Sequence, residues 1–470
     1  MAEQHSSEVR LIRCVISQAG ANQKALGEDM IAAFEVNESL ESPFMAGVLV
    51  ISDSKDFIGT YPIQGGEFIS MEIKTSFDEN PIEYQFVIAS IGGRIVKNKS
   101  QVYNLVLISP EALINEGTRV QEPLTGNPEA IIKKMLSKRY LASTKEFFSE
   151  PSKFEVRMNP ARTRPFDIIA SLLRKSVSSK TNYSGANSTN TTETSQQIKG
   201  SAGFLFWENH RGYNYFSIDA LCDQVDGKYS APRLNVEAWG PYIEEIANTE
   251  ISGDQRFLIE DAVFSSEIDL MKSFRMGKYS SLMVFFNHST GQYEEYVYKI
   301  KDSYDNMAHL GGQESVSLIP ANQIELSDFP TRVMSMVLDH ESWFNEPGIA
   351  NPEDKKAKDP TKFADWQKYY AAQGASRSEL LKNQQGTIGI PGNPLICAGD
   401  KIDIRIASKL ADELRKKKPY DEESSGVYLV KATTQTYNFV AGNSGTLKTT
   451  LQLMRDSYGM KDVPSNHGNK

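Results

Sequence analysis

The chain has 470 residues, is 40% hydrophobic, 24% charged and 10% aromatic, and carries a formal charge of -9 with a pI near 5.4. The length points to about two to four domains, and the composition supports a packed core, which excludes a globally disordered chain. The acidic balance excludes a tight nucleic-acid grip, because such a grip needs a basic face to displace counterions from phosphate. It leaves room for a surface past which DNA slides without sticking.

Residues 8 to 108 hold six short, often alternating runs, "VRLIRCVIS", "AAFEVNES", "MAGVLVISDS", "FISMEIKTS", "EYQFVIASI" and "YNLVLIS", separated by turn residues. This pattern predicts a small β-barrel or sandwich over 1–110. From 111 to 202 the character changes to α+β. "TGNPEAIIKKMLSKRYLA" offers Asn127 as N-cap, Pro128 in the first turn, and Ile131, Ile132, Met135 and Leu136 on one face. "RPFDIIASLLRKS" repeats the pattern with Phe166, Ile169, Leu172 and Leu173. Residues 178–200 are rich in Ser, Thr and Asn and read as a loop. The Asn-x-Ser/Thr triplets at Asn182, Asn187 and Asn190 read as accidents of composition.

"GFLFWENHRGYNYFSIDAL" predicts an aromatic hairpin turning at Asn209 to Gly212. Residues 246–330 carry further strands, 331–380 are a helix and loop excursion, 381–460 close with strands, and 461–470 form a tail.

The search for chemistry returns little. "GTIGIPGNPLICAGDKIDIRI" (386–406) is rich in glycine, but no Lys-Ser/Thr follows, Pro391 and Pro394 remove N–H donors, and a strand rather than a helix comes next. A phosphate loop is therefore rejected in favour of a strand corner where glycine permits positive φ. His5, His210, His288, His309, His340 and His467 form no close pair and no His-Glu-x-x-His, so no metal site and no cofactor is expected. Cys14, Cys222 and Cys397 are far apart and odd in number, which argues against a disulfide framework and fits a reducing compartment. The basic run Arg415 to Lys418 reads as the C-terminal charge of a helix. "MAEQHSSEVR" lacks the apolar segment of a secretory signal, and no run reaches the ~18 apolar residues of a membrane span. A soluble chain without a membrane anchor, assembled in the cytoplasm, is expected.

Three segments together resemble the central baseplate hub of contractile-tailed bacteriophages, a family related to the hub part of type VI secretion tip proteins. "FEVNESLESPFMAGVLVISDSKDFIGTYPIQGGEFISMEIKT" (34–75) is similar to a hub's first barrel, with Asp53 after a strand and a corner at Pro62, Gly65, Gly66 and Glu67. "GFLFWENHRGYNYFSIDAL" resembles the hairpin that opens the second barrel, so 203–245 is assigned to that barrel. The 386–406 stretch, with "SGVYLVKATTQTYNF" and "TLKTTLQLMRDSYG", resembles its closing part, with a Gly399-Asp400 corner, a strand starting at Ser425-Gly426 and a terminal Arg455-Asp456.

The resemblance implies a mainly β fold with α+β inserts: two related antiparallel, tail-tube-like β-barrels plus smaller domains, with 246–330 packing on 111–202. It implies a non-enzymatic virion protein. A homotrimeric, pseudo-sixfold ring would join the tail tube above to a spike below, inside the surrounding baseplate wedge proteins, and DNA would leave through its channel without specific binding. Phe204, Phe206, Trp207, Tyr213 and Tyr215 are the candidate trimer or partner interface. Gly65, Gly66, Gly399, Asp400 and Gly426 are the candidate barrel corners. Two alternatives stand beside this reading. One is a hub or tip component of a phage-derived injection system, less favoured because no spike follows "RDSYG". The other is a β-rich carbohydrate-active enzyme using a carboxylate such as Asp219, near Asp223 and Asp226, in a cleft lined by Trp207 or Trp239.

Overall fold

The computed structural model describes residues 7–18, 23–75, 80–97, 100–179, 201–223, 239–244, 257–265, 269–287, 292–304, 307–312, 318–319, 324–337, 363–415, 418–439 and 444–460. The serine-rich stretch from 180 to 200, Asp226, most of the 345–375 segment, His5, His288, His340, His467 and the 461–470 tail lie outside the described residues.

The N-terminal part is built from β1 (Glu8–Ser17), β2 (Gln23–Ala25), β3 (Ile31–Ser39), β4 (Ala46–Asp53), the short α1 (Phe57–Thr60), β5 (Phe68–Thr75), β6 (Ile82–Lys97) and β7 (Ser100–Ile108). Alternation decides the geometry. Every second residue of β4 and of β5 is buried, so each strand turns one face to a common interior. Leu49, Ile51, Met71, Ile73, Leu105 and Leu107 fill it, and each such buried aliphatic contributes about 1.5–3 kcal/mol. The antiparallel order is β3–β4–β7–β6–β5–β1. This order leaves β3 and β1 as open edges, and the far end of the chain covers both. Residues 432–438 pair with β3, residues 444–446 pair with β1, and those two C-terminal strands pair with each other. The first barrel is a closed ring of 8–108 plus two strands from beyond residue 425.

The middle region contains α2 (Pro110–Gly117), β8 (Leu124–Gly126), α3 (Pro128–Leu136), β9 (Phe147–Ser149), β10 (Val156–Met158), α4 (Pro165–Leu173), β11 (Phe204–Asn209), β12 (Gly212–Ser217) and α5 (Ile218–Cys222). Helices α2, α3 and α4 each start on a proline, where the missing N–H has no intrahelical partner to lose. Asn127 stands at the N-cap of α3, although its side chain makes no capping bond. Ile131, Ile132, Met135, Leu136, Phe166, Ile169 and Leu172 pack together, as their spacing requires. β11 and β12 form the expected hairpin. The hairpin does not open the second barrel: it forms a separate three-stranded sheet in which β9 runs parallel to β12.

Further along lie β13 (Trp239–Glu244), β14 (Leu258–Ile259), β15 (Asp261–Ser265), α6 (Leu270–Met276), β16 (Ser280–Asn287), β17 (Gln292–Lys299), α7 (Lys301–Tyr304), β18 (Leu318–Ile319), β19 (Ile324–Glu325), β20 (Arg332–Val337) and α8 (Phe363–Leu380). The chain ends with β21 (Gln384–Pro391), β22 (Lys401–Arg405), α9 (Asp412–Arg415), β23 (Gly426–Phe439) and β24 (Ser444–Arg455). The second ring runs β13–β22–β23–β24–β21–β15, and β14, one residue before β15, returns to β13. Its pairs are antiparallel except at β13, which is parallel to β14 and β22. Isoleucine dominates its interior: Ile259, Ile388, Ile390, Ile396, Ile402, Ile404 and Ile406 pack with Tyr242, Tyr428, Leu451 and Leu453.

The expected fold class is the observed one: mainly β, two barrels, smaller α+β parts. The segment boundaries differ. Residues 258–265 belong to the second barrel, while β16, β17 and β20 form their own sheet, whose core is completed by Ala372 and Leu380 of α8 rather than by 111–202. Among the described residues no helix is long and apolar enough to cross a membrane.

Candidate functional site: the junction of the two barrels

β23 and β24 run through both barrels. Tyr437 and Leu447 face the first interior, and Val430, Leu451 and Leu453 face the second. On β24 these positions share one parity. On β23 the register shifts between Val430 and Ala432, and this bulge keeps both inner faces on the same side of the ribbon. Between the two apolar interiors lies a polar layer. Thr449 donates to Gln435 Oε1 at 2.6 Å, Asn393 N–H donates to Thr449 Oγ1 at 2.9 Å, Gln435 donates to the Asn393 carbonyl at 3.1 Å, and Asn393 Nδ2 donates to Tyr242 at 3.0 Å. Satisfied groups of this kind separate two cores without the penalty of orphaned buried donors.

The aromatic hairpin is the wedge beside this ribbon. Its register puts Phe204, Phe206, Tyr213 and Tyr215 on one face and Trp207 and Phe216 on the other. The first face packs on α3 and α4, and the second packs on Leu40, Val427, Leu429 and Met454. All five residues expected at a partner interface are therefore inside the chain's own core, none more than 5% exposed. Burial on both faces is what makes both faces aromatic, and the sequence pattern alone does not distinguish that from an outer surface.

Polar groups at the hairpin's turn fasten it to both barrels. Trp207 Nε1 and Asn209 Nδ2 donate to the Ala398 carbonyl at 2.8 and 3.3 Å. Arg211 forms a forked pair with Asp400, at 3.1 and 2.8 Å. Asp400 also accepts from Cys397 N–H and Trp239 Nε1. Glu208, wholly buried, accepts from Met45 N–H at 3.1 Å, while Lys145 bridges Glu208 and Glu111 at 2.5 and 2.6 Å. Burial works against the Lys145 ammonium, but the carboxylates of Glu208 and then Glu111 prevail and hold its pKa above the ordinary value.

The corner glycines all have positive φ: Gly65 +97°, Gly66 +89°, Gly399 +92° and Gly426 +126°. At Gly399 a Cβ would lie 2.4 Å from Trp207 Cζ2, so the close approach of the hairpin also demands glycine. Asp53 closes the turn into α1 by accepting N–H bonds from Lys55 and Phe57 at 2.9 and 2.8 Å. Glu67 closes the next corner by accepting from Gln64 and Gly65.

Two charge clusters lay beyond sequence reasoning. Arg377 of α8, wholly buried, pairs with Asp456 at 2.7 Å and Asp219 at 3.1 Å, and His309 Nδ1 lies 2.7 Å from Asp456. Burial would raise the Asp456 carboxyl, but Arg377 and then His309 hold it well below the usual range. Asp219 is thus a structural ion-pair partner with no exposure, not a carboxylate lining a cleft, and the backbone carbonyl of Asp223 accepts from Lys401. The second cluster is Glu38, His210 and Cys397. His210 Nδ1 lies 3.2 Å from Cys397 Sγ and 3.5 Å from Glu38 Oε1. These side chains come from three separate segments, so no local motif signals them, and "ENHRG" reads as an ordinary polar turn.

No family model and no curated protein matches the chain. Among solved structures it is similar to a tail protein from Neisseria meningitidis, at 12% identity over 94% of this chain and 96% of that one, with a TM-score of 0.47. It is similar to the 43 kDa tail protein of prophage MuSo2 from Shewanella oneidensis, at 9% identity over 94% and 98%, with a TM-score of 0.48. It is also similar to an Escherichia coli component of the type VI secretion system, at 10% identity over 95% of this chain and 79% of that one, with a TM-score of 0.41.

Proposed function

We infer that the chain is a structural tail protein, the central hub of a phage baseplate, whose copies assemble as a ring. The observation that carries this reading is the pair of closed barrels built on one shared two-stranded ribbon. One chain then supplies two adjoining sectors, and three copies supply six, which suits an adaptor between a sixfold tube and a threefold spike. The acidic balance of -9 per chain fits a passage through which DNA moves without counterion-driven sticking. Because the hairpin aromatics are internal, contacts between copies fall to apolar side chains that the single chain leaves exposed: Phe68, Ile95 and Val96 on the first barrel and Val263 on the second. Within this reading the tube, the spike and the wedge proteins are the neighbours, and the role is non-enzymatic.

Light scattering of the purified chain over a range of concentrations, with negative-stain averages of the same sample, tests it. Rings of three copies around a hole are expected. A particle that stays monomeric at every concentration would count against the hub.

A further inference from the structure

We propose that Glu38, His210 and Cys397 form a binding site for a divalent transition-metal ion, zinc first among them, at the point where the first barrel, the aromatic hairpin and the second barrel meet. Each residue offers one ligand atom, and the three atoms lie within 4.8 Å of one another. A tetrahedral zinc ion with bonds of roughly 2.0–2.3 Å holds its ligand atoms about 3.3–3.6 Å apart. The Nδ1–Sγ and Nδ1–Oε1 separations of 3.2 and 3.5 Å need only small adjustments to match.

The donor types choose the metal. A thiolate and an imidazole favour zinc or cobalt(II) over calcium or magnesium, which prefer all-oxygen shells. The charge balances as well: one thiolate and one carboxylate neutralise a divalent ion, which suits a site where Glu38 is 4% exposed and Cys397 is buried. The neighbouring Arg211 is already matched by Asp400. The ligands are held before any ion arrives. Glu38 accepts backbone N–H bonds from His210 at 2.8 Å and Ala398 at 3.1 Å, and Cys397 N–H donates to Asp400 at 3.0 Å. Outer contacts of this kind fix ligand orientation. His210, 15% exposed in its side chain, is the side from which an ion enters and water completes the shell. Binding requires the thiolate, so the Cys397 proton goes to solvent as the sulfur–metal bond forms, and affinity falls in acid. The ligands lie 172 and 187 residues apart along the chain between Glu38 and His210 and between His210 and Cys397, so the ion acts as a cross-link between the three units.

The test is titration of the untagged, metal-stripped full chain with cobalt(II), followed by competition with zinc. One equivalent bound per chain, with a sulfur-to-cobalt charge-transfer band that zinc abolishes, is expected. Cys397→Ser should remove that band, and His210→Asn should weaken binding by at least about 10-fold, in line with losses seen when metal sites are perturbed. Cys14 and Cys222 are buried elsewhere and serve as internal controls, since Cys14→Ser should leave the band in place. A wild-type chain that binds no cobalt, binds it without a thiolate band, or binds it equally well as Cys397→Ser overturns the site. The wild-type titration decides this even where a variant fails to fold.

Discussion

The two barrels reach closure by opposite routes. The first draws six principal strands from one unbroken stretch, 8–108, and borrows only its last two from elsewhere. The second is gathered from pieces at 239–244, 258–265, 384–405 and 426–455. Pieces so far apart are costly to bring together in chain entropy, and that cost grows slowly with loop length. The second barrel carries two long-range ion-pair fasteners, the Arg211–Asp400 fork at its corner and the Arg377 lock at its end. Local alternation builds one barrel, and long-range polar fasteners hold the other in register.

The sharpest way to break that contrast is Arg377→Met. It leaves Asp219 buried without its cation and Asp456 with His309 alone, a change that costs roughly 3–5 kcal/mol. Urea unfolding should show this loss. The sign for pH follows from the depressed Asp456 carboxyl. The stability it contributes is complete above the usual carboxylate range and fades as pH falls through its lowered value, so the variant should lose part of the wild-type acid sensitivity. A variant as stable as wild type would refute the lock.

Next comes Leu105→Ala, wholly inside the first barrel, with an expected loss of about 2–5 kcal/mol. All four tryptophans lie outside 8–108. If the shared ribbon couples the barrels, tryptophan fluorescence must report the same lowered midpoint as circular dichroism. Two separate midpoints would mean that the barrels unfold independently.

Gly399→Ala sharpens the view of the corner. Its positive φ and the 2.4 Å approach to Trp207 predict a loss of about 1–3 kcal/mol by thermal unfolding, with altered tryptophan emission. The smallest expected effect concerns Lys278, whose ammonium is pushed down to about 8 by burial, weakly opposed by Glu379. The unfolded lysine binds its proton more tightly, so stability should rise between pH 8 and the usual lysine range. Lys278→Met should flatten that rise and stabilise the chain at neutral pH by on the order of 1 kcal/mol. A flat wild-type profile would contradict it.

Much of this was legible in the sequence where the signal is local. The strands of 8–108, the two proline-led helices of 128–173, the hairpin turn and the glycine corners all follow from residues within reach of one another. What stayed hidden depends on distant partners. The hairpin's two aromatic faces look the same whether a second copy or the chain's own helices cover them. Arg377 sits in a helix whose sequence gives no hint of burial. Glu38, His210 and Cys397 each look ordinary until the fold brings them within a few ångströms. The extra residue at Lys431 that keeps β23 facing both interiors is invisible in a run of β-branched residues.

The shared ribbon also orders the birth of the molecule. A ribosome delivers residues 8–108 before 432–446, and until the later segment emerges their sheet keeps two unpaired edges, β1 and β3. Exposed edges of this kind invite pairing with other chains. The strands of 8–108 are thus made well before the residues that close their sheet, and the nascent chain has to be shielded until those residues follow.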